Sequence, residues 1–192
     1  METIKEGERT NSVSREEEVS IVEEARRNPQ SFSLLYHRYV KQVFYYFVNR
    51  VGDSAIAEDL TSQTFLLALQ SLKQLHRNDR FAPWLFSIAR NQTTDYYRKS
   101  SREISFEPEM IAEIFESTES HASVVDKTDL ILLQNLVHRL PERDQEMLRL
   151  RFVGELTFAQ IAIVLRQTEN KVKKAYYRLL SQLEKEIEGN NE

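Results

Sequence analysis

TFAQIAIVLRQTENKVKKAYYRLLSQL, Thr157 to Leu183, is the stretch from which the rest of the fold can be read. Thr157 and Gln160 have the spacing of a capping box, in which each side chain satisfies the other's backbone N–H. A short helix, Phe158 to Leu165, follows. Ala162 lies at its middle, small enough for a second helix to cross closely. Arg166, Gln167 and Thr168 fill a three-residue turn, with Thr168 a natural N-cap. A long helix is expected from Glu169 to about Ile187. Val172, Tyr176, Leu179, Leu183 and Ile187 recur on its inward face. Asn170, Lys171, Lys173, Lys174, Tyr177 and Arg178 lie off that face. This is the pattern of a helix-turn-helix whose second helix enters a major groove, with cations for phosphates and polar groups for base edges. A helical hairpin with a solvated lysine face has the same spacing, so the pattern alone leaves both readings open.

Upstream, Pro141 to Phe152 reads as one helix ended by Gly154, and helical periodicity begins again at Leu130. Between Ser100 and Lys127 the composition changes. Glu103, Glu107, Glu109, Glu113, Glu116, Glu119 and Asp126 face only Arg102 and Lys127. That segment is expected to be an acidic, flexible linker. Before it, three more helices are expected. Phe32, Leu35, Tyr36, Tyr39, Val43, Phe47 and Val51 form the stripe of the first. A second starts near Asp53 and carries Ile56, Leu60, Phe65, Leu69 and Leu72. A third starts at Pro83 and runs to about Lys99. Gly52 and Gly154 each sit where a C-cap glycine belongs. The fold class is therefore all-α: two small helical domains joined by an acidic linker, the second a helix-turn-helix.

The bulk chemistry narrows the function further. There is no cysteine, which excludes disulfides, thiolate catalysis and cysteine-bearing zinc sites. His37, His76, His121 and His138 are dispersed, without metal-ligand spacing. No phosphate-binding glycine loop or dinucleotide fingerprint occurs. Glu58 and Asp59 are adjacent, so on a helix they point about 100° apart and make a poor carboxylate pair. No catalytic site, metal or cofactor is expected, and the chain is not expected to be an enzyme. The formal net charge is −4, so any polyanion binding must be local. The polar, acidic N-terminus (Glu2, Glu6, Glu8, Glu16, Glu17, Glu18) has the wrong chemistry for a signal peptide. With no membrane-length apolar run, the expected location is the cytoplasm, without membrane insertion.

Between Arg77 and Arg102, aromatics and cations interleave: Arg77, Arg80, Phe81, Trp84, Arg90, Tyr96, Tyr97, Arg98, Lys99, Arg102. Such a mixture suits single-stranded nucleic acid, because bases stack on rings while cations hold phosphates. Trp84, Leu85 and Ile88 also fit an ordinary helical core.

At this point the order of motifs becomes recognisable. YHRYVKQVFYYFVNRVGD, AEDLTSQTFLLAL, FAPWLFSIARNQTTDYYRKSSR and LPERDQEMLRLRFVGELTFAQIA resemble, in order and spacing, segments of the extracytoplasmic-function (ECF) sigma factors of bacterial RNA polymerase. The resemblance covers the chain from about Phe32 to Leu183. It implies a factor that binds core RNA polymerase, melts the −10 promoter element and recognises the −35 element. By position, Glu58, Asp59 and Gln63 would be polar contacts to the polymerase β′ clamp, with Leu60 and Phe65 partly structural. Asn78, Arg80, Phe81 and Trp84 would lie where an extruded −10 base is held. Arg90, Asn91, Asp95, Arg98 and Lys99 would face the −10 strands. Thr168, Asn170, Lys171, Lys173, Lys174, Tyr177 and Arg178 would meet duplex −35 DNA. The acidic linker would run through the polymerase's RNA exit path, and the two-domain layout suits an anti-sigma partner.

The resemblance divides the chain into an N-terminal arm (1–27), sigma region 2 (28–102), the acidic linker (103–127), sigma region 4 (128–188) and a tail (189–192). This sequence departs from the family pattern where Arg166 replaces a turn glycine. Lys171 and Lys174 replace a threonine and a serine, and Ala175 stands at a commonly cationic position. The alternative function is a stand-alone helix-turn-helix transcriptional regulator. It has no need of the block from Glu58 to Leu72. A further alternative is a sigma-like decoy that binds polymerase without opening DNA.

Overall fold

A computed structural model of the chain describes residues 15–100 and 135–189, and within them all regular structure is helical. Helix α1 is Arg15–Arg27. Acidic Glu16, Glu17 and Glu18 lie in its first turn and basic Arg26 and Arg27 in its last, as the helix dipole favours. A 3-10 turn at Pro29–Ser31 leads into α2, Phe32–Val51, which ends on Gly52 in the left-handed region at φ 67°. Only a residue without a Cβ takes that conformation at little cost. Asp53 caps α3, Ser54–Ser71, its carboxylate accepting the Ile56 N–H at 2.9 Å. A 3-10 turn at Asn78–Arg80 opens α4, Phe81–Ser100. That helix starts two residues before Pro83, which falls in the first turn, where its missing N–H leaves no bond unmade.

The C-terminal half begins with helical residues 135–139, followed by α5, Glu142–Leu148. Instead of ending, α5 widens into a π-helical turn at Arg149–Val153. Helix α6, Phe158–Val164, and helix α7, Glu169–Gly189, complete it.

The core of the N-terminal half is aromatic. Tyr46, Phe47, Phe81 and Phe86 are fully enclosed with Leu35, Val43 and Leu85. The three expected helices supply most of it, and α1 adds to it: residues 15–27, within the expected N-terminal arm, are helical and packed. Val22 and Ala25 are buried against the other helices. Glu18 accepts a hydrogen bond from the Tyr39 hydroxyl, and the Arg26 Nε donates to the Leu72 carbonyl at 3.4 Å. The remainder of the expected arm, the expected linker and the last three residues lie outside the described residues.

Gly154 is a correction. Its φ is −77°, so it is no left-handed cap, and the left-handed residue is Glu155 at φ 53°. A Cβ on Gly154 would lie 2.9 Å from the Leu150 carbonyl and 3.1 Å from two ring carbons of Phe86. The glycine permits close approach between the two halves. They touch elsewhere too. Helix α6 packs on α4, and the π-turn packs on α2.

Candidate nucleic-acid interface

The helix-turn-helix forms as the sequence dictates. The Thr157 N–H donates to Gln160 Oε1 at 2.9 Å, and the Gln160 N–H reaches Thr157 Oγ1 at 3.3 Å, closing the capping box. At the far end of α6, Arg166 takes φ 53°. Its N–H donates to the Ile163 carbonyl at 3.2 Å, and the Gln167 N–H to the Ala162 carbonyl at 2.9 Å. This is the Schellman pattern, with arginine in the position usually left to glycine. Arg143 on α5 braces the turn by donating to Gln167 Oε1 at 2.8 Å. Thr168 then caps α7, accepting the Lys171 N–H at 3.4 Å.

On α7, Val172, Leu179 and Leu183 are buried. Thr168, Asn170, Lys171, Lys173, Lys174, Tyr177 and Arg178 are all exposed, so the seven residues share the solvent side of the turn and the first three helical turns. Lys173 Nζ is 2.7 Å from Glu169. Tyr177 is 61% exposed, the ring of a residue with no place in the core. It forms an aromatic group with Tyr176 and Phe158.

In the N-terminal half the expected contact residues divide by burial. Glu58, Asp59 and Gln63 lie exposed on α3, whereas Leu60 and Phe65 are buried and hold that helix to the core. At the start of α4, Phe81 is 0% exposed, its ring edge-on to Phe32 and beside Tyr39 and Trp84. Phe81 therefore offers no face to a base. The core needs its whole ring, and it leaves the candidate pocket. Trp84 is half-buried. Asn78 and Arg80 are also half-buried, and Asn78 Nδ2 donates to Glu23 Oε1 on α1 at 3.2 Å. Neighbouring Arg77 is held by Asp79 through two bonds, at 3.1 and 2.8 Å. Asn91, Asp95 and Arg98 follow at i, i+4 and i+7, so they lie along one strip of α4. Asp95 pairs with Arg98 at 3.0 Å, and Asn91, Arg98 and Lys99 are exposed. Arg90 differs from these. Its Nε lies 3.8 Å from Glu146 on α5.

That last contact belongs to a cluster that no sequence motif announced. The Tyr46 hydroxyl donates to Glu146 Oε1 at 2.8 Å, both groups buried. Arg149 Nη1 reaches Glu142 Oε1 at 2.9 Å and Glu146 Oε2 at 3.4 Å, and Arg149 Nη2 donates to Gln145 Oε1 at 2.7 Å. Arg50 pairs with Glu142. Burial, reinforced by the Glu146 charge, pushes the Tyr46 hydroxyl well above the ordinary tyrosine range. Burial and nearby Arg149 pull the Arg50 guanidinium down.

Among the described residues, no three histidine, cysteine, aspartate or glutamate side chains are grouped to hold a metal. No described helix is long and apolar enough to cross a membrane.

The comparison with known proteins agrees with this geometry. Sigma-70 region 2 matches residues 35–103, which take in most of α2 and all of α3 and α4, and sigma-70 region 4 matches residues 130–183, which take in the helix-turn-helix. ECF RNA polymerase sigma factor BldN of Streptomyces coelicolor is 33% identical over 86% of this chain. ECF RNA polymerase sigma factor SigM of Bacillus subtilis is 27% identical over 78%. The chain belongs to the ECF sigma factors of the sigma-70 family.

The alignment spans 64% of the length of BldN and 90% of that of SigM. The structure of CnrH in complex with the cytosolic domain of CnrY has the same fold, with a TM-score of 0.65 at 19% identity, covering 90% of this chain and 97% of CnrH. Within this sigma factor, the block from Glu58 to Leu72 and the helix-turn-helix were visible as motifs. The Tyr46–Glu146 cluster was not. Glu146 and Arg149 are three residues apart on one helix, which reads as a solvated surface pair, and the partners that bury them are remote in sequence.

Proposed function

We propose that this chain is the promoter-specificity subunit of RNA polymerase. It binds core enzyme through its region 2 and directs initiation by melting the −10 element and recognising the −35 element. The observation that carries this reading is the pairing, on one chain, of a region 2 helix with exposed acids and a region 4 helix-turn-helix with an exposed basic face.

Glu58, Asp59 and Gln63 contact the β′ clamp from α3, with Leu60 and Phe65 fixing their helix from inside. Asn78, Arg80 and Trp84 line the place of the extruded −10 base. Extrusion costs a few kcal/mol, which contacts to the flipped base must offset. Arg90, Asn91, Asp95, Arg98 and Lys99 meet the opened strands. Thr168, Asn170, Lys171, Lys173, Lys174, Tyr177 and Arg178 meet duplex −35 DNA, the cations on phosphates and Asn170 at base edges. The protein supplies recognition and leaves bond-making to the polymerase, so it is not itself an enzyme. It acts in the cytoplasm, where the polymerase is. An anti-sigma protein that engages both halves holds it in reserve; CnrH, which shares the fold, is found in complex with the cytosolic domain of CnrY.

Transcription in vitro with purified core polymerase tests the reading. Adding the chain should give transcripts from a subset of genomic promoters on which core enzyme alone is silent. A chain that binds DNA but yields no promoter-dependent transcript with core enzyme would be a regulator, not a sigma factor.

A further inference from the structure

Asn78 opens the 3-10 turn at Asn78–Arg80, and its side chain is held from one end only. Its Nδ2 donates to Glu23 Oε1 on α1 at 3.2 Å, across a separation of 55 residues. Its Oδ1 is buried and has no donor. The two observations have one cause. A carboxylate only accepts, so Glu23 takes the amide by its NH2 end and turns the carbonyl oxygen the other way. Buried polar atoms without a partner are few in native proteins, and each asks for a reason. Five side-chain atoms are in that state among the described residues, and Asn78 Oδ1 alone belongs to a residue assigned above to DNA.

The surroundings leave the amide little other freedom. Helix α1 packs against the turn. Val22 and Ala25, on either side of Glu23, are buried, and Arg26 Nε donates to the Leu72 carbonyl at 3.4 Å. The turn is closed by the Arg80 N–H on the Arg77 carbonyl at 3.0 Å, and Asp79 holds the Arg77 guanidinium. What remains to be set at Asn78 is which end of the amide faces which way.

We propose that Glu23 is a positioning residue for base selection: by holding the NH2 end of Asn78 it leaves an acceptor for the extruded −10 base, which favours adenine or cytosine over guanine or thymine.

The chemistry of the bases gives the direction. Adenine N6 and cytosine N4 donate, whereas guanine O6 and thymine O4 accept at the corresponding position. A keto oxygen against Asn78 Oδ1 would set two acceptors face to face. A free asparagine could avoid this by turning over, since the two ends of its amide are nearly equal in shape. Glu23 removes that escape, because turning over would set Oδ1 against the carboxylate and forfeit a charge-assisted bond. Burial of Oδ1 keeps water from satisfying it first. The entering base displaces the groups that shield the oxygen, and its amino group supplies the missing donor. Helix α1 thereby takes part in −10 recognition without touching DNA.

The inference rests on the sigma-factor reading for the base and on the Glu23–Asn78 bond for the preference. The test uses core polymerase reconstituted with the full chain, on a genomic promoter that it transcribes. The template is pre-melted across the −10 element and changed one base at a time. The readout is the ratio of transcript from amino-base templates to transcript from keto-base templates. A ratio within one preparation does not depend on how much protein is active, so a partly unfolded variant cannot imitate a changed preference.

With the unaltered chain, one −10 position should favour amino bases about fivefold, the size of one hydrogen bond. Glu23 is exposed, so its replacement leaves the buried face of α1 in place. Glu23→Gln, which can offer an oxygen or an NH2, should bring the ratio at that position toward one. Glu23→Lys, which can only donate, should turn the amide over and reverse the preference. Adding Asn78→Asp to Glu23→Lys gives the lysine one carboxylate oxygen and the base the other, and should restore the preference for amino bases.

Absence of any −10 position that favours amino bases overturns the acceptor at Asn78. An unmoved ratio in both Glu23 variants overturns the positioning role, since a part in folding alone would leave the ratio as it was. No transcript from any promoter with core polymerase overturns the sigma-factor reading and this inference with it.

Discussion

Arg166 shows how one residue can keep a fold while working against it. The end of α6 requires a left-handed residue, and the Schellman bonds through Ile163 and Ala162 form there at φ 53°. An L-residue with a Cβ carries a cost of roughly 1–2 kcal/mol in that region, whereas glycine carries almost none. Glycine in turn gives the unfolded chain more freedom, which removes roughly 0.5–1 kcal/mol of the gain. Arg166→Gly should therefore stabilise the chain by about 0.5–1 kcal/mol, read as a higher midpoint in urea unfolding at unchanged slope. An unaltered or lower midpoint would mean that the exposed guanidinium contributes more in place than the strain removes. The family resemblance places Arg166 in a turn that usually holds glycine. Only the backbone shows that the turn kept its geometry rather than adopting another.

Among the helices, α7 combines two kinds of cation. Lys173 is engaged with Glu169 at 2.7 Å, one turn before it, whereas Lys171 and Lys174 extend from the same exposed surface toward any phosphate backbone. Each cation that neutralises a phosphate releases counterions and steepens the dependence of log K on log salt by about 0.9. On a duplex carrying the −35 element, Lys171→Ala and Lys174→Ala should each flatten that slope by about this amount. Lys173→Ala should flatten it by less, since Lys173 must leave a carboxylate before it meets DNA. Equal losses at all three positions would show that the Glu169 pair is irrelevant to binding. At this scale most of the structure was legible. Helices α2, α3, α4, α6 and α7 follow from the spacing of their apolar residues, and Asp53, Thr157 and Thr168 mark their starts as capping chemistry requires. Helix α1 was missed because its first turn is Glu16, Glu17 and Glu18. That acidic run reads as part of a polar arm, although it suits a helix N-terminus equally well, and Val22 and Ala25 are the residues of α1 that are fully buried. The π-turn at Arg149–Val153 was missed because nothing in the residue types distinguishes an i−5 from an i−4 bond.

For the whole molecule, the decisive glycine is the one whose role was misread. A glycine after a helix has two explanations, a left-handed cap or a close approach, and the sequence supports the first at Gly154. The structure supports the second, and it makes a prediction that separates the seam from the local turn. A methyl group at 154 would meet the Leu150 carbonyl at 2.9 Å, within its own half, and the Phe86 ring at 3.1 Å, across the seam. Gly154→Ala should destabilise the full-length chain by 1 kcal/mol or more, in the range of about 1–3 kcal/mol seen for overpacking. Phe86→Leu, which removes a fully buried ring edge, should also destabilise it on its own. If the ring is what the methyl group strikes, the double variant should lose less than the two single losses added together, with a coupling of about 1 kcal/mol in urea unfolding. Strict additivity would place the whole cost on the Leu150 carbonyl and leave the seam indifferent to residue 154. Residues 68 positions apart have no reason to couple unless the halves are docked, so a non-additive result would place the two halves in contact in solution without any partner or DNA present.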